Sequence, residues 1–265
     1  MRLCSIASGS SGNCIYVGTE ETHVLVDVGI AGKRVLAGLS DLELSLDDVH
    51  AILVTHEHAD HIHGLGILER KKRIPIYASH GTISYLKETK DLGTMEGIEY
   101  VEVSADEPFA VRDLIVDPMT ISHDAREPLA FRFGNGGSRA AVCTDIGEFT
   151  DYTVDALRDM DCILLEANHD IRMLQAGPYP YPLKQRILGE KGHLSNDNAG
   201  KLLSLVASDR LQHILLGHLS RENNLPELAY ETVRVEVDMG DNPYHASDFD
   251  LKVASRSCPS EIFEF

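Results

Sequence analysis

Three histidines and an aspartate fall within six residues in the run Thr55-His56-Glu57-His58-Ala59-Asp60-His61, directly after the apolar stretch Ala51-Ile52-Leu53-Val54. Imidazoles crowded into one turn repel when protonated and gain little by packing. Around a divalent cation the same groups have a purpose, because neutral His nitrogens and carboxylate oxygens are ligands that Zn, Mn or Fe accept. A strand running into His-x-His fans both rings to one side, since alternate residues of an extended chain face one way. Asp60 and His61 then approach from the start of a following helix.

Short Val- and Ile-rich runs between Gly and Asp turns predict the strands that carry these groups. They fall near residues 3–7, 15–17, 23–28, 51–55, 75–78, 98–103, 114–122, 129–134, 139–144, 162–166, 213–217 and 249–254. Helices are predicted after Asp60, over 150–160, over 195–208 with Ser195 as the N-cap, and from Pro226 onward. Many strands with interspersed helices and no break in composition imply one layered α/β domain over residues 1–265. Three predicted strands end on a further candidate ligand: His123, Asp145 and His218. Singly, each has an ordinary use as a surface histidine or a turn aspartate. With the cluster they make a set of seven, enough for two metals.

Composition limits the function classes. Apolar residues make up 43% of the chain, and no apolar run reaches the roughly 20 residues that span a bilayer. The first residues lack the apolar stretch of a signal peptide. Five cysteines, an odd number, form no Cys-x-x-Cys pair. They are expected to be reduced, mostly buried hydrophobes in a cytoplasmic protein. The net charge of −18 argues against a polyanionic partner, but its distribution is uneven. Residues 91–127 hold ten acids and two bases, whereas residues 181–221 hold six bases and three acids. Arg70-Lys71-Lys72-Arg73 is either a set of cations at a helix C-terminus or a phosphate-facing patch.

The order Asp27 (in Val26-Asp27-Val28-Gly29), His-x-His-x-Asp-His, His123, Asp145, His218 resembles the metallo-β-lactamase-fold superfamily in its two-metal hydrolase branch, over nearly the whole chain. That resemblance implies a four-layer αββα sandwich with the metals at one edge. It implies that His56, His58 and His123 hold one metal, that Asp60, His61 and His218 hold the other, and that Asp145 bridges them. Asp27 would orient ligands from behind. Ser8-Gly9-Ser10-Ser11-Gly12-Asn13-Cys14, Glu166-Ala167-Asn168-His169-Asp170, Gly192-His193-Leu194-Ser195-Asn196 and Gly217-His218-Leu219-Ser220 resemble the bacterial YycJ/WalJ family. This second resemblance implies an exonuclease that degrades double-stranded DNA from the 5′ end and is linked to mismatch-repair proteins. An inserted β-CASP domain does not fit, because only about 70 residues separate Asp145 from His218, and no flexible arm is evident in the sequence.

The chemistry of such a site needs no protein nucleophile. Two cations roughly 3.5–4 Å apart, Zn or Mn here, can hold one hydroxide between them and neutralise charge growing at phosphorus. Asp60 can orient that hydroxide. His193, whose Gly-His-Leu-Ser context repeats that of His218, is the candidate general acid or phosphate contact; its alternative is a helix-start residue beside Ser195. His169 carries the same ambiguity. Asn13 and Ser195 are candidate substrate contacts, with a hairpin turn as the alternative for Ser8–Asn13. Pro178-Tyr179-Pro180-Tyr181-Pro182 reads as a stiff loop whose tyrosines can stack on a base. Two other functions stand beside the nuclease: a dinuclear hydrolase of a small cyclic phosphodiester, lactone or thioester, and a non-hydrolytic redox or sensor protein. The hydrolase-type ligand set disfavours the last.

Overall fold

The computed structural model describes residues 1–265. One sheet contains β1 (Arg2–Ala7), β2 (Cys14–Gly18), β3 (His23–Val26), β4 (Ala51–Leu53), β5 (Ile76–Ala78) and β6 (Tyr100–Glu102), with β14 (Phe263–Glu264) at the outer edge of β1. The other contains β7 (Phe109–Val111), β8 (Leu114–Thr120), β9 (Leu129–Asn135), β10 (Ser138–Cys143), β11 (Cys162–Glu166), β12 (His213–Gly217) and β13 (Asp250–Val253), in that spatial order. Each sheet is antiparallel through its hairpins and parallel where helices intervene: β3-β4-β5-β6 in the first, β10-β11-β12-β13 in the second.

Strands buried on both faces are apolar throughout rather than alternating, and this explains their sequences. In β3, Val24 and Val26 point between the sheets and Leu25 points outward; in β4, Ala51 and Leu53 point inward and Ile52 outward. The inter-sheet core joins these to Phe131, Val142, Leu164 and Leu215 of the second sheet. On the outer face of the first sheet, α1 (Gly32–Asp41), α3 (Leu65–Lys71) and α4 (His80–Glu88) supply Val35, Leu39, Leu65, Leu68 and Ile83. Outside the second, α5 (Asp151–Leu157), α8 (Asn196–Val206) and α9 (Pro226–Asp238) supply Leu157, Leu202, Leu203 and Val233. Three cores separating four layers make the expected αββα sandwich. No helix is long and apolar enough to cross a membrane.

The differences from expectation have local causes. Strands predicted to run to 28, 55 and 122 stop at Val26, Leu53 and Thr120, because the chain leaves the ladder to turn into the site. The helix predicted to reach Met160 ends at Leu157, where Arg158 is extended and Asp159 turns left-handed. The Pro-rich stretch is not a loop throughout: α7 (Tyr181–Leu188) begins in it, with Pro182 in a first turn whose missing N–H costs nothing. α4 escapes sequence reading because Gly, Thr, Ile and Tyr are weak helix formers; Ser79 starts it by capping the Thr82 N–H.

Glu69 on α3 is an exception to the apolar interior. It is 3% exposed; one carboxylate oxygen accepts the Ile74 N–H at 3.3 Å and the other has no partner. Burial pushes its pKa up to about 7. A raised folded-state pKa stabilises below the unfolded value and is lost as pH rises through the folded one. Stability should therefore decline from about pH 4.5 to about pH 7. Glu69→Gln is expected to flatten that decline and gain about 1 kcal/mol at pH 8, the shift being discounted for partial solvation. Denaturant titrations of both proteins at pH 5 and pH 8 measure it.

Candidate metal centre

The two sheets deliver their strand ends to one edge. Asp27 follows β3, Asp145 lies two residues past β10, and His218 follows β12. All three sit in left-handed backbone, at φ 61°, 62° and 55°. For residues with a side chain this costs on the order of 1–3 kcal/mol each, and such strain collects at functional positions. From the first sheet, β4 runs into an extended segment that brings the His56 and His58 rings together edge-on, centroids 4.6 Å apart. The short helix α2 (Ala59–Ile62) then presents Asp60 and His61.

Two ligand sets result. One atom from each of His56, His58 and His123 lies within 4.8 Å of the others, and the same holds for Asp60, His61 and His218. Asp145 stands between them: Oδ2 is 3.2 Å from His61 Nε2, and Oδ1 is 3.7 Å from His123 Nε2 and 3.6 Å from His218 Nε2. Behind four of the five candidate ligand rings Nδ1 finds a fixed partner, whereas His58 Nδ1 lies 3.2 Å from His123 Nε2. His61 Nδ1 meets Asp27 at 2.7 Å, His218 Nδ1 meets Glu166 at 2.8 Å, His56 Nδ1 meets the Thr55 hydroxyl at 3.0 Å, and His123 Nδ1 donates to the Gly192 carbonyl at 3.0 Å. Holding a proton on Nδ1 frees the Nε2 lone pair for a cation. His56 Nε2 and Asp145 Oδ2 are buried without any hydrogen-bond partner. An orphaned lone pair in each place is what a metal site looks like from its protein side, so the residues fit divalent metal.

Electrostatics point the same way. Burial opposes charge on every group, yet Asp145, Asp27 and Asp60 hold His61 protonated well above the ordinary histidine range. His218 rises to about 10 against its burial, driven by Asp145, Asp60 and Glu166. Burial would raise Glu166, but His193 and His218 bring it down to about 2. Asp145, also opposed by burial, is pulled well below the carboxylate range by His218 and His61. Protons on His61 and His218 thus occupy positions where cations would sit. Metal uptake is expected to release protons and to weaken as pH falls. Calorimetric titration at one pH in two buffers of different ionisation enthalpy counts them.

Other candidates have different work. Asn13 is 1% exposed and serves the scaffold: its Oδ1 accepts the Gly9 N–H at 2.9 Å, and its N–H donates to the Asp60 carbonyl at 2.8 Å. The Ser8–Asn13 segment is the β1–β2 hairpin turn, with Ser8 Oγ accepting the His218 N–H at 2.8 Å. The Ser195 hydroxyl caps α8 by accepting the Asn198 N–H. Both side chains are buried and take part in these local contacts. The Arg70–Arg73 run lies at the opposite end of the sheet. Lys72 donates to the carbonyls of Leu46, Asp47 and Val49, and Arg70 to that of Leu92. It is the helix-end set, not a phosphate patch at the metals. His169 is buried with neither ring nitrogen bonded, its pKa lowered to about 4 by burial.

His193 does reach the centre. Its Nδ1 lies 2.9 Å from Glu166 Oε1 and 3.5 Å from Asp145 Oδ1, and its ring sits 5.2 Å from that of His123 and 5.3 Å from that of His218. Glu166, noted in the sequence only as part of a family motif, has a role that sequence reading did not assign. It holds His193 and His218 together and accepts the N–H groups of Ile146 and Leu194 at 2.8 and 3.0 Å. The available signal was the one that found Asp145: an apolar strand, Cys162-Ile163-Leu164-Leu165, delivering a polar residue at its end.

Gly29 completes the Val26-Asp27-Val28-Gly29 motif. A Cβ there would lie 1.6 Å from the Asp60 carbonyl oxygen. Gly29→Ala is expected to push α2 away, destabilising the fold by about 1–3 kcal/mol. Bound metal, measured by elemental analysis of the folded variant, should fall with it.

The description "beta-lactamase superfamily domain" matches residues 22–215. The chain is 40% identical over 228 residues to "Exodeoxyribonuclease YycJ" of Bacillus anthracis, covering 86% of each, and 38% identical to "Exodeoxyribonuclease WalJ" of Streptococcus pneumoniae, covering 86% of this chain and 85% of that one. The metallo-β-lactamase fold protein YhfI from Bacillus subtilis superposes with a TM-score of 0.72 over 100% of this chain and 98% of its own, at 16% identity, a likeness of fold alone. The chain thus belongs to the metallo-β-lactamase superfamily and, within it, to the family of the YycJ and WalJ exodeoxyribonucleases.

Proposed function

We propose that this protein is a metal-dependent phosphodiesterase, an exonuclease that degrades double-stranded DNA from its 5′ end with two divalent cations, Zn or Mn. The observation that carries the reading is Asp145, a buried carboxylate placed between two three-residue ligand sets. His56, His58 and His123 would hold one cation, Asp60, His61 and His218 the other, and Asp145 both. Cations held there supply an acidified water and neutralise charge developing on a phosphodiester. The activity of the YycJ and WalJ relatives supports DNA as the substrate.

The chain's own residues divide the remaining work. Asp60, at the mouth and part exposed, can accept a hydrogen bond from the attacking water. Asp27 and Thr55 keep His61 and His56 in their ligand tautomers. His193 keeps some exposure, 17% of its side chain, where His56 and His61 have none. Burial would discharge His193, but Glu166 and Asp145 raise its pKa and favour the protonated ring. With Nδ1–H fixed on Glu166, the transferable proton is on Nε2, suited to a departing 3′-oxygen.

One observation favours a small phosphodiester instead: the net charge is −18 and the Arg70–Arg73 run is used structurally. A blunt duplex labelled at the 5′ end or the 3′ end, incubated with Mn or Zn, separates the two. Early release of short 5′-labelled products, with gradual shortening of 3′-labelled strands, is expected. Hydrolysis of small diesters alone would overturn the DNA assignment.

A further inference from the structure

The nuclease reading leaves open what draws a polyanion to so acidic a molecule. The ion pairs among the candidate ligands involve histidines, and one arginine joins them from outside. Arg186 on α7 reaches Asp124, the residue after His123. Its Nε donates to one carboxylate oxygen and its Nη2 to the other at 2.9 Å, a two-pronged pair. The same carboxylate lies 3.8 Å from His58 Nε2 and 3.6 Å from His123 Nε2. Asp124 thus links the imidazoles of the first ligand set to a guanidinium at the rim.

Two of the five guanidinium N–H groups are taken by Asp124 and no further acceptor is present, while half of the side chain is exposed. The Asp60 and Asp145 carboxylates also reinforce its charge from within the site. By contrast, Lys184 on the same helix spends its ammonium on the Gln175 and Gly177 carbonyls. Arg186 is thus a rigidly held cation at the metal edge with donors to spare. A planar fork of this kind suits a phosphate oxygen better than a mobile ammonium does.

We propose that Arg186, clamped by Asp124, anchors a DNA backbone phosphate next to the scissile one, and so sets the affinity for duplex. The inference rests on the phosphodiesterase reading and adds its substrate-positioning residue. Neutralising one phosphate contributes about one unit to the slope of log affinity against log salt.

The test compares wild type, Arg186→Ala and Arg186→Lys. Duplex binding is measured at several salt concentrations with metal-loaded protein, steady-state cleavage is followed in parallel, and metal content is determined for each. Arg186→Ala is expected to raise KM for duplex about tenfold, lower kcat little, reduce the salt slope by about one and keep its metal. Arg186→Lys should restore the slope but only part of the affinity. A salt slope equal to wild type in Arg186→Ala, or loss of metal from it, would overturn the proposal and leave the nuclease reading standing. Wild type that cleaves bis(p-nitrophenyl) phosphate but neither binds nor cuts duplex would overturn both.

Discussion

Asp145→Ala is expected to lower DNA hydrolysis on the order of a thousandfold and to leave the protein unable to hold two metals together. Asp145 is 1% exposed and its oxygens reach both ligand sets, Oδ2 toward His61 and Oδ1 toward His123 and His218. No other carboxylate spans both. Removing a group behind a ligand typically costs 10–100-fold in metal affinity or activity, so removing the shared ligand should cost more. The strain at its φ of 62° is relieved in no way by alanine, which has a Cβ as well. The loss should therefore read as metal loss and not as repair of the backbone. Elemental analysis beside DNA cleavage measures both effects. Asp145→Ala protein with two tightly bound metals and near-normal rates would show that another residue joins the sets.

Glu166→Ala should be the second largest loss, and it should damage stability as well as rate. Glu166 is fully buried and satisfies four groups: the His193 and His218 Nδ1 atoms and the Ile146 and Leu194 N–H groups. Breaking a buried charge network by removing one partner costs about 3–5 kcal/mol. Glu166→Gln keeps the shape and separates the two effects. Its amide oxygen can serve both histidines or both backbone N–H groups, but its NH2 then faces the other two donors. We expect Glu166→Gln to fold, to destabilise by less than the alanine variant, and to cleave DNA about 10–100-fold more slowly. His193→Ala combined with Glu166→Gln should then lose little more than the worse single change, because residues acting as a unit are not additive. Thermal unfolding and single-turnover cleavage of the three proteins give the comparison; fully additive losses would show that Glu166 acts independently of His193.

The clustering of the candidate ligands was legible because their chemistry is carried by residue type at fixed points. Crowded histidines have no packing use, and an apolar strand that ends on Asp or His marks a sheet edge. The layers were legible for a related reason: strands such as Ala51–Leu53 and Cys162–Glu166 are apolar without alternation, which requires cover on both faces. What stayed hidden depends on three-dimensional pairing. Nothing in the sequence couples Glu166 to His193 and His218, 27 and 52 residues away. The left-handed turns at Asp27, Asp145 and His218 use residue types with no glycine to flag them. Asn13 and Ser195 read as contacts because polar loop residues near a ligand motif do; their burial in the turn and at the helix cap was not visible in the sequence. Arg186 lay in a stretch dominated by prolines, and its helix was not expected.

The central claim is that one seven-residue centre, loaded with two cations, hydrolyses DNA. It is tested most directly by stripping the protein with a chelator and adding Mn or Zn stepwise, with bound metal and duplex hydrolysis measured at each step. The account predicts no hydrolysis without metal and a rise to a plateau at two equivalents per chain. Hydrolysis that persists in the stripped protein, or fully loaded protein that leaves duplex DNA intact, would contradict it.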